Sequence, residues 1–292
     1  EPGLFTILEV ESSHVDVLCY DDSTGELEVV LTGGATPYTY ALTGPVTETQ
    51  GPTPNTTYIK TGLPTGDYTV TATDANGTIV DVEITILQPD ATIDITETIS
   101  DFNGFSISCF GASDGTIDIV TTGGGGPSNS DQYTYEWTLG VNSFTVSSPS
   151  TDTNLQDLGP GVYKVTVTDN VGCTYTETYE ITEPTGLTLS GVVSNNNQYT
   201  GFGVSAFGAN DGFIDITVGG GTSSYTYAWS TSDGVVPLGQ ETNQNLTGLV
   251  AGTYTVEITD SNGCIITENY IVTEPGLFTI LEVESSHVDV LC

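Results

Sequence analysis

Basic residues are almost missing: Lys60 and Lys164 stand against 38 acidic residues, Arg and Met are absent, and the formal net charge of the 292 residues is −36. Such a surface repels nucleic acid and anionic membranes, so neither is expected as a partner. Long apolar runs are missing as well. No segment reaches the eighteen or so apolar residues of a membrane helix, and no signal-peptide pattern is present in what reads as an interior segment, so no membrane insertion is expected. With two Lys and no Arg, trypsin-like proteases find almost nothing to cut, which suits an exposed extracellular life. Histidine is as scarce: His14 and its copy His287 have no Ser or Cys set beside them in a nucleophile motif. Carboxylate pairs are too common in so acidic a chain to single out an acid and a base. The expectation is therefore no catalytic residue and no enzyme, with His14 a polar residue on an exposed first strand.

What is present is β-structure and repetition. Hydrophobic residues make up 37% of the chain and Tyr occurs 15 times, alongside dense Thr, Val and Ile. The stretch EPGLFTILEVESSHVDVLC occurs twice without change, at 1–19 and 274–292. An identical stretch of that length marks a periodic array. Pro2, Pro89, Pro184 and Pro275 divide one period into units of 87, 95 and 91 residues. Each unit runs through the same series. An acidic Gly turn opens a strand of alternating apolar residues: TGELEVVLTGG from Thr24, DGTIDIVTTGG from Asp114, DGFIDITVGGG from Asp211. An aromatic strand follows: PYTYAL from Pro37, QYTYEW from Gln132, SYTYAW from Ser224. The unit closes on Leu-x-x-Gly-x-Tyr, an alternating strand, and the tight turns DANGT at Asp74, DNVGC at Asp169 and DSNGC at Asp260.

Some seven short antiparallel strands in about ninety residues predict an immunoglobulin-like sandwich. Trp137 and Trp229, with Leu42 in the first unit, fall where strand C of that fold carries its core Trp. Tyr68, Tyr163 and Tyr254 fall at the tyrosine corner. The expected fold class is all-β: tandem immunoglobulin-like β-sandwich modules stacked head to tail into a rod. The expected boundaries are 1–88, 89–183 and 184–274, with 275–292, identical to 2–19, the first strand of the next period.

The series Cys-x-Gly-x-x-Asp-Gly, Gly-Gly-x-x-Pro-Tyr-x-Tyr-x-Trp and Gly-x-Tyr-x-Val-x-Val-x-Asp-x-x-Gly-Cys resembles the SprB-type repeat. The second unit carries it almost throughout, through Cys109, Gly111, Asp114, Gly115, Tyr133, Tyr135, Trp137, Gly161, Tyr163, Asp169, Gly172 and Cys173. The first and third units depart from it: Tyr20 and Asp21 stand where Phe110 and Gly111 do in the second, Thr78 replaces the last Cys, and Ala206 replaces the first Cys of the third. The resemblance implies a module of very large cell-surface adhesins of gliding Bacteroidetes, exported by the type IX route. It implies a secreted filament on the bacterial cell surface, active in attachment or gliding motility. By resemblance to glycoproteins of the same bacterial group, Asp22-Ser23-Thr24 looks like an O-glycosylation acceptor at Ser23.

One period holds Cys19, Cys109, Cys173 and Cys264, which allow three pairings. Pairing within modules would join Cys109 to Cys173 and leave Cys19 opposite Thr78 and Cys264 opposite Ala206. The turn before strand B and the turn between strands F and G also lie at opposite ends of a sandwich, too far for a disulfide. Pairing between successive modules uses every Cys and sets the two losses, Ala206 and the Thr78 of the next period, against each other. The expectation is Cys19 with Cys173, Cys109 with Cys264, and Cys292 with a partner in the next period.

No cofactor is required, but calcium is the ligand that the residues suit. Asp21, Asp22, Asp114 and Asp211 in the early turns, and Asp74, Asp169 and Asp260 in the opposing turns, would gather hard oxygen ligands at module junctions. Asp and Gly are equally the ordinary residues of tight turns. The expected partners are further copies of the same repeat, in one chain or between chains. A polysaccharide-binding array, calcium-dependent or not, is the alternative, with its site in stretches such as Gly123 to Asp131 and Ser143 to Asp152.

Overall fold

The computed structural model describes residues 3–125, 133–140, 144–145, 153–195 and 201–280. Every sheet is antiparallel and three- or four-stranded, and the described residues hold no α-helix. The chain divides into two compact units that cut across the threefold repeat: 1–99 with 116–156 and 161–180, and 100–115 with 157–160 and 181–292.

In the first unit, β1 (Thr6–Glu9), β2 (Gly25–Thr32) and β5 (Thr57–Leu63) form one sheet in the order β1-β2-β5. The second sheet contains β3 (Tyr38–Thr43), β4 (Glu48–Thr53), β6 (Gly66–Thr73) and β7 (Ile79–Ile86) in the order β4-β3-β6-β7. These are strands A-B-E and C′-C-F-G of an immunoglobulin-like sandwich. Alternation makes the core: Leu27, Val29 and Leu31 of β2 point inward with Tyr40 and Leu42 of β3 and Tyr68, Val70 and Ala72 of β6. The next pair of sheets repeats the plan. β8 (Asp94–Ile99), β9 (Gly115–Thr122) and β12 (Asn154–Leu158) run in the order β12-β9-β8. β10 (Thr134–Leu139), β11 (Phe144–Thr145), β13 (Gly161–Thr168) and β14 (Thr174–Ile181) run in the order β11-β10-β13-β14.

The second unit holds the sheets β15-β16-β18, from β15 (Thr188–Val193), β16 (Gly212–Gly219) and β18 (Leu246–Leu249), and β17-β19-β20, from β17 (Thr226–Thr231), β19 (Gly252–Thr259) and β20 (Ile265–Val272). Among the described residues this sandwich has six strands rather than seven. Where C′ would lie, turns cover the edge of β17 instead: Trp229 donates from its backbone N to Glu241 O at 2.9 Å and from Nε1 to Asn243 O at 2.8 Å. Leu42, Trp137 and Trp229 are all buried on strand C.

The Gly-Gly that ends each B strand has a steric cause. A Cβ on Gly33 would sit 2.3 Å from Leu4 O, and one on Gly220 would sit 2.0 Å from Gly186 O; both residues have φ near +70°. Only glycine fits so close to the incoming first strand.

Candidate functional site: the turns at the ends of the sandwiches

Two turns recur in every repeat. The F–G turn is organised by one buried aspartate that accepts three backbone N–H groups. Asp74 Oδ1 accepts from Asn76 and Thr78 at 2.9 and 2.8 Å, and Oδ2 from Ala35 at 3.0 Å. Asp169 does the same with Val171, Cys173 and Gly125 (3.1, 2.8 and 2.8 Å), and Asp260 with Asn262, Cys264 and Thr222 (2.9, 2.9 and 2.8 Å). Burial alone would raise the Asp74 carboxyl, but the N–H donors of Thr78, Ala35 and Asn76 outweigh it and hold the pKa below its ordinary value.

The early turn closes through a hydrogen bond from the fourth residue to the first: Asp22 N to Cys19 O, Ala112 N to Cys109 O and Ala209 N to Ala206 O. Its third residue is left-handed in each copy, Asp21 at φ 59°, Gly111 at 72° and Gly208 at 75°. That residue's N–H is taken by the side chain just before the linker proline: Gln88 Oε1 at 3.1 Å, Glu183 Oε2 at 2.7 Å and Glu274 Oε2 at 2.7 Å. Asp114 Oδ1 accepts Ser108 N and Asp211 Oδ1 accepts Ser205 N, at 3.1 and 3.0 Å, while Thr24 Oγ1 takes that place in the first repeat. The bonds from Ser205 lower the Asp211 pKa.

Of the seven aspartates suited to calcium, Asp74, Asp114, Asp169, Asp211 and Asp260 thus sit in these turns with carboxylate oxygens engaged by backbone donors. Among the described residues, no group of three or more His, Cys, Asp or Glu side chains is arranged to hold a metal ion.

The structure joins Cys19 to Cys173, with Cα atoms 5.6 Å apart, and Cys109 to Cys264, at 5.8 Å. Each bond ties an early turn to the F–G turn of the following repeat. In the second unit a carboxamide lies beside the disulfide: Asn262 Nδ2 donates to Phe102 O, Ser108 O and Thr222 Oγ1 at 3.1, 3.0 and 3.0 Å, and Asn262 Oδ1 accepts from Asn103 Nδ2 at 2.5 Å. Cys292 lies outside the described residues, as do most of 123–131 and 143–152. Ser23 is exposed beside the first early turn, its N–H bonded to Asp22 Oδ1.

Sequence reasoning passed over several of these residues. The first Tyr of the aromatic strand anchors to a glycine carbonyl: Tyr38 OH to Gly33 O, Tyr133 OH to Gly123 O and Tyr225 OH to Gly220 O. In the first and third repeats this Tyr stands five residues after the glycine, which was the available signal; in the second it stands ten after. His14 differs from the expected solvated strand residue: it follows β1, and its Nδ1 meets Glu9 at 2.6 Å and its Nε2 meets Asp16 at 3.1 Å. Asp16 Oδ1 also accepts the N–H of Leu87. Burial would lower the His14 pKa, but the two carboxylates outweigh it and raise it above 6.5. Tyr68 OH and Tyr254 OH bond back to Pro64 O and Val250 O, four residues upstream, both at 2.9 Å, which is the tyrosine corner.

Sandwiches in tandem, with repeated turns cross-linked from one to the next, define an all-β tandem-repeat protein of immunoglobulin-like architecture. The SprB repeat family model matches three separate regions of the chain, residues 12–47, 106–142 and 204–234, which include every early turn. No curated protein matches the chain in sequence. Among solved structures it is similar to the N-terminal eight immunoglobulin domains of the Down syndrome cell adhesion molecule, at 13% identity and TM-score 0.40, over 94% of this chain and 37% of that one. It is similar also to a 1.5-MDa bacterial ice-binding adhesin (16% identity, TM-score 0.38, 93% of this chain and 96% of that one). A Ca²⁺-stabilised ice-binding adhesin of an Antarctic bacterium is a third (18% identity, TM-score 0.32, 94% and 74%). The chain spans little more than a third of the first of these.

Proposed function

We propose that this chain is a segment of the shaft of an extracellular repeat adhesin, made of modules 1–88, 89–183 and 184–274 and continued by further copies of the same period on a bacterial surface. The observation that carries the reading is the pair of disulfides, each tying one repeat to the next. Such bonds form and persist in oxidising compartments, and a staple between modules removes a hinge. The SprB repeats support a cell-surface setting, and attachment or gliding is the task that such a shaft would serve. The acidic surface supplies self-repulsion, which keeps neighbouring shafts apart. Electron microscopy of purified material tests the reading: a stiff fibre with an axial repeat of roughly 100–140 Å is expected if each module spans about ten extended residues plus turns. Freely jointed beads would overturn it.

A second reading, polysaccharide binding, is favoured by an open polar cleft of about 590 Å³ lined by Gln50, Pro54, Asn55, Thr56, Thr57 and Ile59 in the first sandwich. Retention of one complete period on a glycan array would support it, and uniform absence of binding would remove it.

A further inference from the structure

The three F–G turns share one fold but not one set of contacts. In the second unit, Cys264 is bonded to Cys109 while Asn262 donates to the carbonyls of Phe102 and Ser108. In the first unit, the turn that bears Cys173, bonded to Cys19, has Val171 at the carboxamide position. The first repeat's own turn is the converse, with Asn76 at the carboxamide position and Thr78 in place of the half-cystine.

This turn is shaped like its docked counterpart. The three N–H bonds of Asp74 match those of Asp260 to within about 0.2 Å. Its surroundings differ: Ala75 to Ile79 are all exposed, with Ile79 62% accessible. The Asn76 carboxamide makes no hydrogen bond among the described residues, and Ala35 stands where Thr222 offers Asn262 a hydroxyl. Asn76 therefore presents two N–H donors to whatever lies beyond it.

The matching acceptor is in the third repeat. Ser205 stands where Ser108 does, its N–H held by Asp211 as that of Ser108 is held by Asp114. Gly208 N is held by Glu274 as Gly111 N is by Glu183. Ala206 replaces Cys109, and Phe207, 54% accessible, replaces Phe110, whose ring lies about 3.5 Å from where a Cβ on Gly186 would be.

We propose that the exposed turn around Asn76 is the docking surface for the 201–208 end of a second copy of this repeat, with Asn76 Nδ2 donating to Ser205 O of that copy and no covalent bond between them. The inference rests on the reading above that the period recurs. It sorts the junctions into three kinds: a disulfide with Val171 at the carboxamide position, a disulfide with Asn262 there, and Asn76 there with no disulfide. The contact joins unlike surfaces, so each copy offers both halves of it and the next copy can be added in the same way. Each period then has one junction that can open and reform without redox chemistry.

The test is a chain in which the 273-residue period is written twice, with Ala206→Cys in the first copy only and Thr78→Cys in the second only. Both positions are exposed turn residues, so the sandwiches keep their cores. Under mild oxidation, non-reducing peptide mapping should find these two positions linked. Adding Asn76→Ala in the second copy should slow linkage by about five- to tenfold, as expected for losing one or two net hydrogen bonds. Persistently free thiols at both positions, or linkage at an unchanged rate in the Asn76→Ala chain, would overturn the proposal. Fibres without this linkage would sink the junction alone, whereas linkage in a chain that never forms a fibre would sink the shaft reading instead.

Discussion

Replacing Cys109 and Cys264 together by Ser should destabilise the third sandwich far more than a surface change would. The bridge spans a sequence separation of 155 residues, for which loop-closure entropy is worth about 5 kcal/mol at 25 °C. The neighbouring sandwich need not unfold at the same time. Ser106 and Ile107 both donate to Thr182 O, so with that contact intact the freed loop runs only from Thr182 to Cys264. That loop, roughly 80 residues, is still worth about 4.5 kcal/mol, because the dependence on length is logarithmic. Asn262 and its bonds stay in the variant and retain part of the junction. Measured losses fall below the entropic figure, so about 3 kcal/mol is expected, or a fall in Tm of roughly 12–24 °C for a module of this size. The chain has two Trp, one in the second sandwich and one in the third, and both are buried. Fluorine NMR of fluorotryptophan-labelled protein in urea therefore follows the two sandwiches separately. A Trp229 transition that moves by less than about 0.5 kcal/mol would refute the account of the bridge as a restraint on the unfolded chain.

Three further outcomes follow from the same geometry. Asp260→Asn removes a carboxylate that accepts three backbone N–H groups at a buried site, and should cost about 2–4 kcal/mol by urea denaturation. Tyr58→Phe should be neutral or stabilising by up to about 1 kcal/mol in the same assay, since the Tyr58 hydroxyl is buried without a hydrogen-bond partner and burial pushes its pKa up to about 12. His14 is raised above 6.5 by Glu9 and Asp16, so its contribution is complete below pH 6.5 and is lost as pH rises through the folded-state value. Melting at pH 5.5 and 8.5 should show this loss, and His14→Gln should abolish the difference.

The sequence by itself determined the strands, because a period of two in TGELEVVLTGG or DGFIDITVGGG leaves one face apolar whatever surrounds it. It determined the tandem immunoglobulin-like class through Leu42, Trp137 and Trp229 at one strand position and Tyr68 and Tyr254 at another. It also held the positions of the five cysteines and of Thr78 and Ala206. Tertiary structure decided what no local pattern contains. The 5.6 and 5.8 Å between paired cysteine Cα atoms arise from residues 154 and 155 positions apart. The loss of strand C′ in the third sandwich depends on turns that reach Trp229 from Glu241 and Asn243. An Asp in a turn reads equally well as a metal ligand or as a backbone acceptor, and only the N–H groups folded around Asp74, Asp169 and Asp260 show the second. Asn76 and Asn262 sit in nearly the same pentapeptide, yet one carboxamide is bonded and the other exposed. A hydrogen bond needs both partners within about 3 Å, and the partner's place is fixed by the chain far away in sequence.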